Sequence, residues 1–195
     1  MSSHHIVRDE QEPALLMLNT ENCEYDHLSQ LLEWSPVVVA TEHTLSQLLA
    51  WGIKIDIVFT SPEKQELVHE LTIFQRPIKI FATENNQWTE ALHYLSSNKH
   101  KAINIYTDKL PEIADQVACF ANDIDLVLYN SQEKGVFSRN GKFEKWVAKG
   151  TQFKIPADLI AEYYNLNHLG NQVWEASVNG TIRIEANKDF FLIEM

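Results

Sequence analysis

The chain is poor in glycine, cysteine and positive charge, and each shortage excludes something. Of its 195 residues only six are glycine, and all but Gly52 lie beyond Asn122. Two cysteines, Cys23 and Cys119, are too few for a disulfide scaffold. Both fall in helical-looking stretches and read as buried thiols of a reducing cytoplasm. Sixteen Lys and Arg face 27 Asp and Glu, for a net charge of −11. That balance argues against nucleic acid or an anionic membrane as the main partner. It suits a cationic ligand, or a metal ion that offsets local negative charge. No apolar run is long enough to span a bilayer. The opening segment, Met1 to Pro13, is polar, lacks the apolar centre of a signal peptide and reads as a lead-in without fixed structure. His4 and His5 are too few to form a metal-binding tract.

What is present is a repeated alternation. Short apolar runs occur at 14–19, 36–41, 55–60, 77–83 and 102–107, with cores LLML, VVVA, IDIVF, IKIF and INIY. Runs so nearly continuous in apolar residues predict strands covered on both faces. The stretches between them carry helical spacing: Leu28, Leu31 and Leu32 share a face, as do Leu45, Leu48 and Leu49, and Trp88, Leu92 and Leu95. Pro62 and Pro111 stand where a helix would begin. Strand and helix in alternation mean right-handed crossovers and a parallel sheet. The reading is α/β: a Rossmann-like three-layer domain over 14–121.

Beyond Asn122 the glycines separate short runs at 125–129, 135–138, 143–147 and 152–155. The runs 181–186 and 190–194 read as a hairpin turned by Asn187-Lys188-Asp189. Residues 122–195 are therefore expected to form a small antiparallel β-sandwich or barrel. Segment 157–166 is open between a short helix and a crossing connection.

Each strand of the first domain ends in Thr with an acid close behind: Thr20-Glu21, Thr41-Glu42, Thr60 with Glu63, Thr83-Glu84 and Thr107-Asp108. Ligands of open parallel sheets bind outside the carboxyl ends of the strands, so these acids would crowd one rim. Thr and acids are also ordinary helix-start residues. For Glu21 and Asp108 capping is the simpler role, while Glu42, Glu63 and Glu84 are candidate ligands of a shared group or divalent metal. Oxygen-only ligands favour Mg²⁺ over zinc. No glycine follows any of the five runs, which excludes a Gly-rich dinucleotide loop and a P-loop there. Lys64 and Lys109 are the only basic residues close behind the strand ends, and His43 is the only rim histidine.

Residues 36–64, PVVVATEHTLSQLLAWGIKIDIVFTSPEK, resemble the first signature of the thiamine pyrophosphokinase family: a strand ending in Asp-Gly-Gly, a helix, Gly-Ile-Lys-Pro-Asp, a strand, then Gly-Asp-Phe-Asp-Ser. Aligned through Gly52-Ile53-Lys54-Ile55-Asp56, Glu42 takes the place of the first Asp, and His43 and Thr44 replace the two glycines. Ser61 and Glu63 replace the Asp residues of the second motif. TENNQWTEAL, from Thr83, is similar to the family's Lys-Asp-x-Thr-Asp helix start, with Glu84 for its Asp and Thr83 for its Lys. Asn86 and Gln87 stand at its Thr-Asp pair. The resemblance implies diphosphate transfer from ATP to thiamine with Mg²⁺ held by Glu42, Glu63 and Glu84, which would then be the catalytic residues. It places Thr41, His43 and Gln87 among the binding residues at the rim, and Ser177 and Asn179 at the thiamine end. It also implies a homodimer through the β domain, with thiamine at the junction with the partner subunit.

The departures follow a pattern. The family's Gly-Gly-Arg segment has no counterpart, since Ile105-Tyr106-Thr107 runs directly into DKLPEIADQVACF. Backbone approach to phosphate needs those glycines, and charge neutralisation needs the Lys and Arg. Val178 splits Ser177 from Asn179. Three readings follow: a divergent kinase with weak turnover, a relative that has lost turnover and binds a small molecule, or a dimeric scaffold.

Overall fold

The computed structural model describes residues 12–195; the lead-in reading of the first eleven residues, with His4 and His5, lies outside them. The five apolar runs form strands β1 (Ala14–Met17), β2 (Val38–Thr41), β3 (Ile57–Thr60), β4 (Lys79–Ala82) and β5 (Ala102–Tyr106), every neighbouring pair parallel. Between and after them lie helices α1 (Tyr25–Leu32), α2 (Glu42–Ala50), α3 (Gln65–Leu71), α4 (Gln87–Ser97) and α5 (Leu110–Val117). Because side chains alternate along a strand, Ala14 and Leu16 pack with Ala91, Leu92 and Leu95 of α4 and Leu110, Ala114 and Val117 of α5. Leu15 and Met17 pack on the other face with Leu28 of α1, Leu45 and Leu48 of α2 and Val68 of α3. That double covering explains why the strand cores are nearly continuous in apolar residues. The exception is β4, read as covered on both faces: it is the sheet edge, and Lys79 and Ala82 are exposed.

The remaining strands are β6 (Asp125–Tyr129), β7 (Lys134–Ser138), β8 (Lys142–Val147), β9 (Gln152–Lys154), β10 (Ile160–Tyr164), β11 (Leu166–Gly170), β12 (Val173–Ala176), β13 (Gly180–Ala186) and β14 (Phe190–Glu194). Among the described residues they complete one eleven-stranded sheet, in the order β11-β12-β9-β14-β7-β6-β5-β1-β2-β3-β4, and a second sheet, β10-β13-β8. The second sheet packs on the antiparallel end of the first to make a β-sandwich, cored by Phe153, Ile155, Trp174, Ile182, Ile184 and Leu192. Lys145 of β8 reaches across it to Glu194 of β14, 2.6 Å away.

Several expectations are corrected. Residues 125–129 are not part of the antiparallel meander: β6 lies parallel to β5, and pairing becomes antiparallel only between β6 and β7. The runs 181–186 and 190–194 are not a hairpin, since β13 belongs to the small sheet while β14 pairs with β7 and β9 in the large one. Phe190 and Leu192 face the sandwich core and Ile193 the helical side, and β14 lies between β7 and β9 in the large sheet. Segment 157–166 is a single 3₁₀ turn, Ala157–Leu159, leading into β10 and the start of β11. Cys119 is exposed and Cys23 is half-buried in the turn before α1, so neither is a buried helical thiol. No helix of the described residues is long and apolar enough to cross a membrane.

Candidate functional site

Strand β1 sits between β5 and β2, so the chain steps from β1 through β2 and β3 to β4 in one direction and then returns past β1 to β5 and β6. The carboxyl ends of six parallel strands thus form one rim, with the reversal of strand order beside β1.

Glu42 is the centre of that rim. It opens α2 directly after β2, while the Thr44 hydroxyl accepts from the Thr41 N–H (3.1 Å) and fixes the first turn. Its side chain is only 10% exposed. Oε2 accepts from the Ser61 N–H (2.9 Å), the Ser61 hydroxyl (2.9 Å) and the Thr60 hydroxyl (3.3 Å). Oε1 accepts from Lys64 Nζ at 3.0 Å. Burial pushes the carboxyl up, but the Ser61 backbone donor, Lys64 and the Ser61 hydroxyl outweigh it and hold the pKa at about 2. Gln87 Oε1 accepts from the Glu42 N–H (3.2 Å), tying the start of α4 to the start of α2.

The other residues expected at this rim do not join a ligand set. Thr41 is buried at the N-cap of α2, and His43 is exposed, its Nε2 3.9 Å from Glu42 Oε1. Glu63 is exposed on the short turn Pro62–Lys64, and Glu84 is exposed in the turn before α4. Asn86 caps α4 by accepting from the Trp88 and Thr89 N–H groups, so Glu84 lies outside the helix. Ser177 and Asn179 sit between β12 and β13; the Ser177 N–H donates to the Asn165 carbonyl, and Asn179 Oδ1 accepts from the Lys149 N–H (2.8 Å). Seven strand spacings separate β12 from β2 in the sheet order, about 33 Å at the usual spacing. Within one chain, the Ser177–Asn179 turn and Glu42 therefore cannot touch one small ligand.

A second polar crevice lies where the strand order reverses, a cavity of about 580 Å³ at the ends of β1, β5 and β6. Asp108 Oδ2 accepts from Asn22 Nδ2 (3.0 Å), and its N–H donates to Asn19 Oδ1 (3.2 Å). The Ser131 hydroxyl donates to the Asn22 carbonyl (2.7 Å), and the Glu24 N–H donates to Ser131 Oγ (3.1 Å). Asp108 is therefore a loop tie, not the helix cap expected of it. Burial raises the pKa of Cys23 and of Tyr106, which keeps both protonated and makes Cys23 a poor nucleophile. Sequence reasoning missed Asn22 and Ser131; Asn130-Ser131 directly behind β6 would have pointed here once that strand was placed in the parallel sheet.

Mg²⁺, which the resemblance implies, needs carboxylate oxygens free to coordinate. Both oxygens of Glu42 are taken by the protein's own donors, one of them a lysine ammonium. Among the described residues no group of three or more His, Cys, Asp or Glu is placed to hold a metal ion. The residues present do not fit the ion.

No family model matches the sequence, and no curated protein matches it. Solved structures do. Thiamine pyrophosphokinase from Bacillus subtilis superposes with a TM-score of 0.68 at 13% identity, over 93% of this chain and 97% of that one. The Geobacillus thermodenitrificans thiamin pyrophosphokinase gives 0.69 at 11%, over 93% and 95%. The yeast enzyme gives 0.68 at 8%, over 97% and 88%. The chain has the fold of the thiamin pyrophosphokinases along nearly its whole length.

Proposed function

We propose that this thiamine-pyrophosphokinase-like chain transfers diphosphate from ATP to thiamine weakly or not at all, and that it works as a small-molecule-binding relative of those enzymes in the cytoplasm. The observation that carries the reading is the carboxylate of Glu42, saturated by Ser61, Thr60 and Lys64. Phosphoryl transfer depends on positioning and on neutralising developing charge. The rim has no glycine cradle behind its strands, and Lys64 is spent on an internal pair. The test is direct: purified protein is incubated with thiamine, ATP and Mg²⁺, and thiamine diphosphate is quantified. Formation far below that of an intact family enzyme is expected, and Glu63→Gln should leave it unchanged, because Glu63 stands outside any ligand set. Because Glu63 is exposed, that substitution should change stability by no more than about 0.5 kcal/mol. Full turnover by the unmodified protein would refute the reading.

A second reading, a homodimeric scaffold, is favoured by one observation. The register of the small sheet sets Trp146 opposite Thr181 and Tyr164 opposite Arg183, placing both aromatics on its outer face. They are 66% and 64% exposed. Trp174 and Phe190 of the same domain are core residues, and Phe191 is half-buried. Light scattering should give a dimer mass for the protein and a monomer mass for Trp146→Glu.

A further inference from the structure

The helix layer on one face of the large sheet stops at α5, but the sheet continues to β7, β14 and β9. Register and alternation decide what stands on that uncovered face. Phe137 is opposite Phe191, Gly135 opposite Ile193, and Lys154 also opposite Ile193. All five therefore share it, while Phe153, Ile155, Phe190 and Leu192 turn to the sandwich core. The result is a cleft of about 590 Å³. Ala114 of α5 and Ala118 just past its end form one wall, Phe137 and Phe191 the floor, and Leu159 the far wall.

Two features make this a built cavity. A Cβ at Gly135 would lie 2.2 Å from the Phe191 ring, so only glycine lets that ring lie down on β7. The Phe137 and Phe191 rings then meet at 4.9 Å between centroids, giving a continuous aromatic floor. The small side chains of Ala114 and Ala118 leave the space above it open.

The charge around the cleft departs from that of the molecule. Arg139, Lys154 and Lys188 line it against Asp115 and Asp189, a net excess of one positive charge in a chain of net −11. Arg139 is committed, with NH2 2.9 Å from Asp125 and Nε donating to the Ala121 carbonyl. Lys154 and Lys188 are exposed and carry no ion pair among the described residues. The crevice beside β1, by contrast, is lined by Glu21, Glu24 and Asp108 with no cation.

We propose that this cleft binds a small amphipathic organic anion, an aromatic or acyl body bearing one carboxylate or phosphate. The body lies on Phe137 and Phe191 between α5 and Leu159, and the anion meets Lys154 and Lys188. The volume falls within the range of about 300–1,000 Å³ usual for small-molecule sites. The site is separate from the Glu42 rim and does not depend on the function proposed for it.

The experiment is a fluorescence titration of the full chain with 8-anilinonaphthalene-1-sulfonate, an aromatic body with one sulfonate. Saturable binding of one probe per chain is expected, with displacement by 1-naphthoate if the site prefers aromatic anions or by decanoate if it prefers acyl ones. The double variant Lys154→Glu with Lys188→Glu should weaken the probe by roughly tenfold or more. Ala118→Trp should abolish binding by filling the cleft, and Glu42→Gln should leave it unchanged. Should Ala118→Trp fail to fold, the lysine pair, both exposed, carries the test alone. Affinity unchanged in the lysine variant, or equal displacement by the cation 1-naphthylmethylamine, would overturn the proposal.

Discussion

Strands β2 and β3 have two ends, and the two ends do different work. At their amino ends lies Gly52-Ile53-Lys54-Ile55-Asp56, the segment with the sharpest family resemblance. Gly52, at φ +71°, ends α2: its N–H donates to the Leu49 carbonyl and the Ile53 N–H to the Leu48 carbonyl, a Schellman stop. Ile53 and Ile55 are buried. Asp56 Oδ2 accepts from the Val38 N–H (2.9 Å), pinning the start of β2, and Lys54 donates to the Ile55 and Pro77 carbonyls. At the carboxyl ends, where the resemblance departs, Glu42 is closed off by Ser61 and Lys64. The matching residues hold the strands in place and the substituted ones sit where chemistry would occur.

The largest effect that would sharpen this contrast is expected at the amino end. Asp56→Ala leaves the Val38 N–H without its acceptor and should destabilise the protein by about 1–3 kcal/mol, read by chemical denaturation, with no change in any ligand response of the rim. Loss of a rim response instead would break the division between the two ends.

Next in size is Glu42→Gln, which should cost on the order of 1–2 kcal/mol at pH 7. The native carboxyl titrates at about 2, below the usual value for Glu. Its ionised form therefore adds stability that is complete above about pH 4.5 and is lost as the pH falls toward 2. The variant should lack that acid-limb decline, and denaturation curves between pH 2 and pH 6 measure the difference. Gly52→Ala should cost about 1 kcal/mol for the left-handed backbone alone, since the added Cβ meets no atom within 4 Å. Smallest is Lys64→Met: with Lys64 half exposed, it should cost less than about 1 kcal/mol while raising the Glu42 pKa.

What could be read from the sequence divides along the same line. Buried parallel strands are written locally, as runs such as VVVA and INIY, and Pro62 and Pro111 mark helix starts wherever the strands end up. Sheet membership is not local. Thr181–Ala186 and Phe190–Glu194 stand a short turn apart, as the strands of a hairpin would, yet β13 joins the small sheet and β14 the large one, where Phe190 and Leu192 pack on one face and Ile193 on the other. Asp125–Tyr129 was masked by the onset of glycines just after it. At the rim, Glu42 and its place behind β2 were visible, and Lys64 stood out as a lone basic residue. The pairing of the two, across 22 positions, exists only once β2 and β3 lie side by side.

Glu42 is satisfied by the protein itself and leaves no place for a metal. Thermal denaturation of the unmodified chain, with and without millimolar Mg²⁺ and ATP, tests it most directly, because binding to the folded state alone raises Tm by mass action. No shift in Tm is expected with Mg²⁺ and ATP, at any ratio of the two. A Tm that climbs with the logarithm of Mg²⁺ concentration, and ceases to climb in Glu42→Gln, would contradict it.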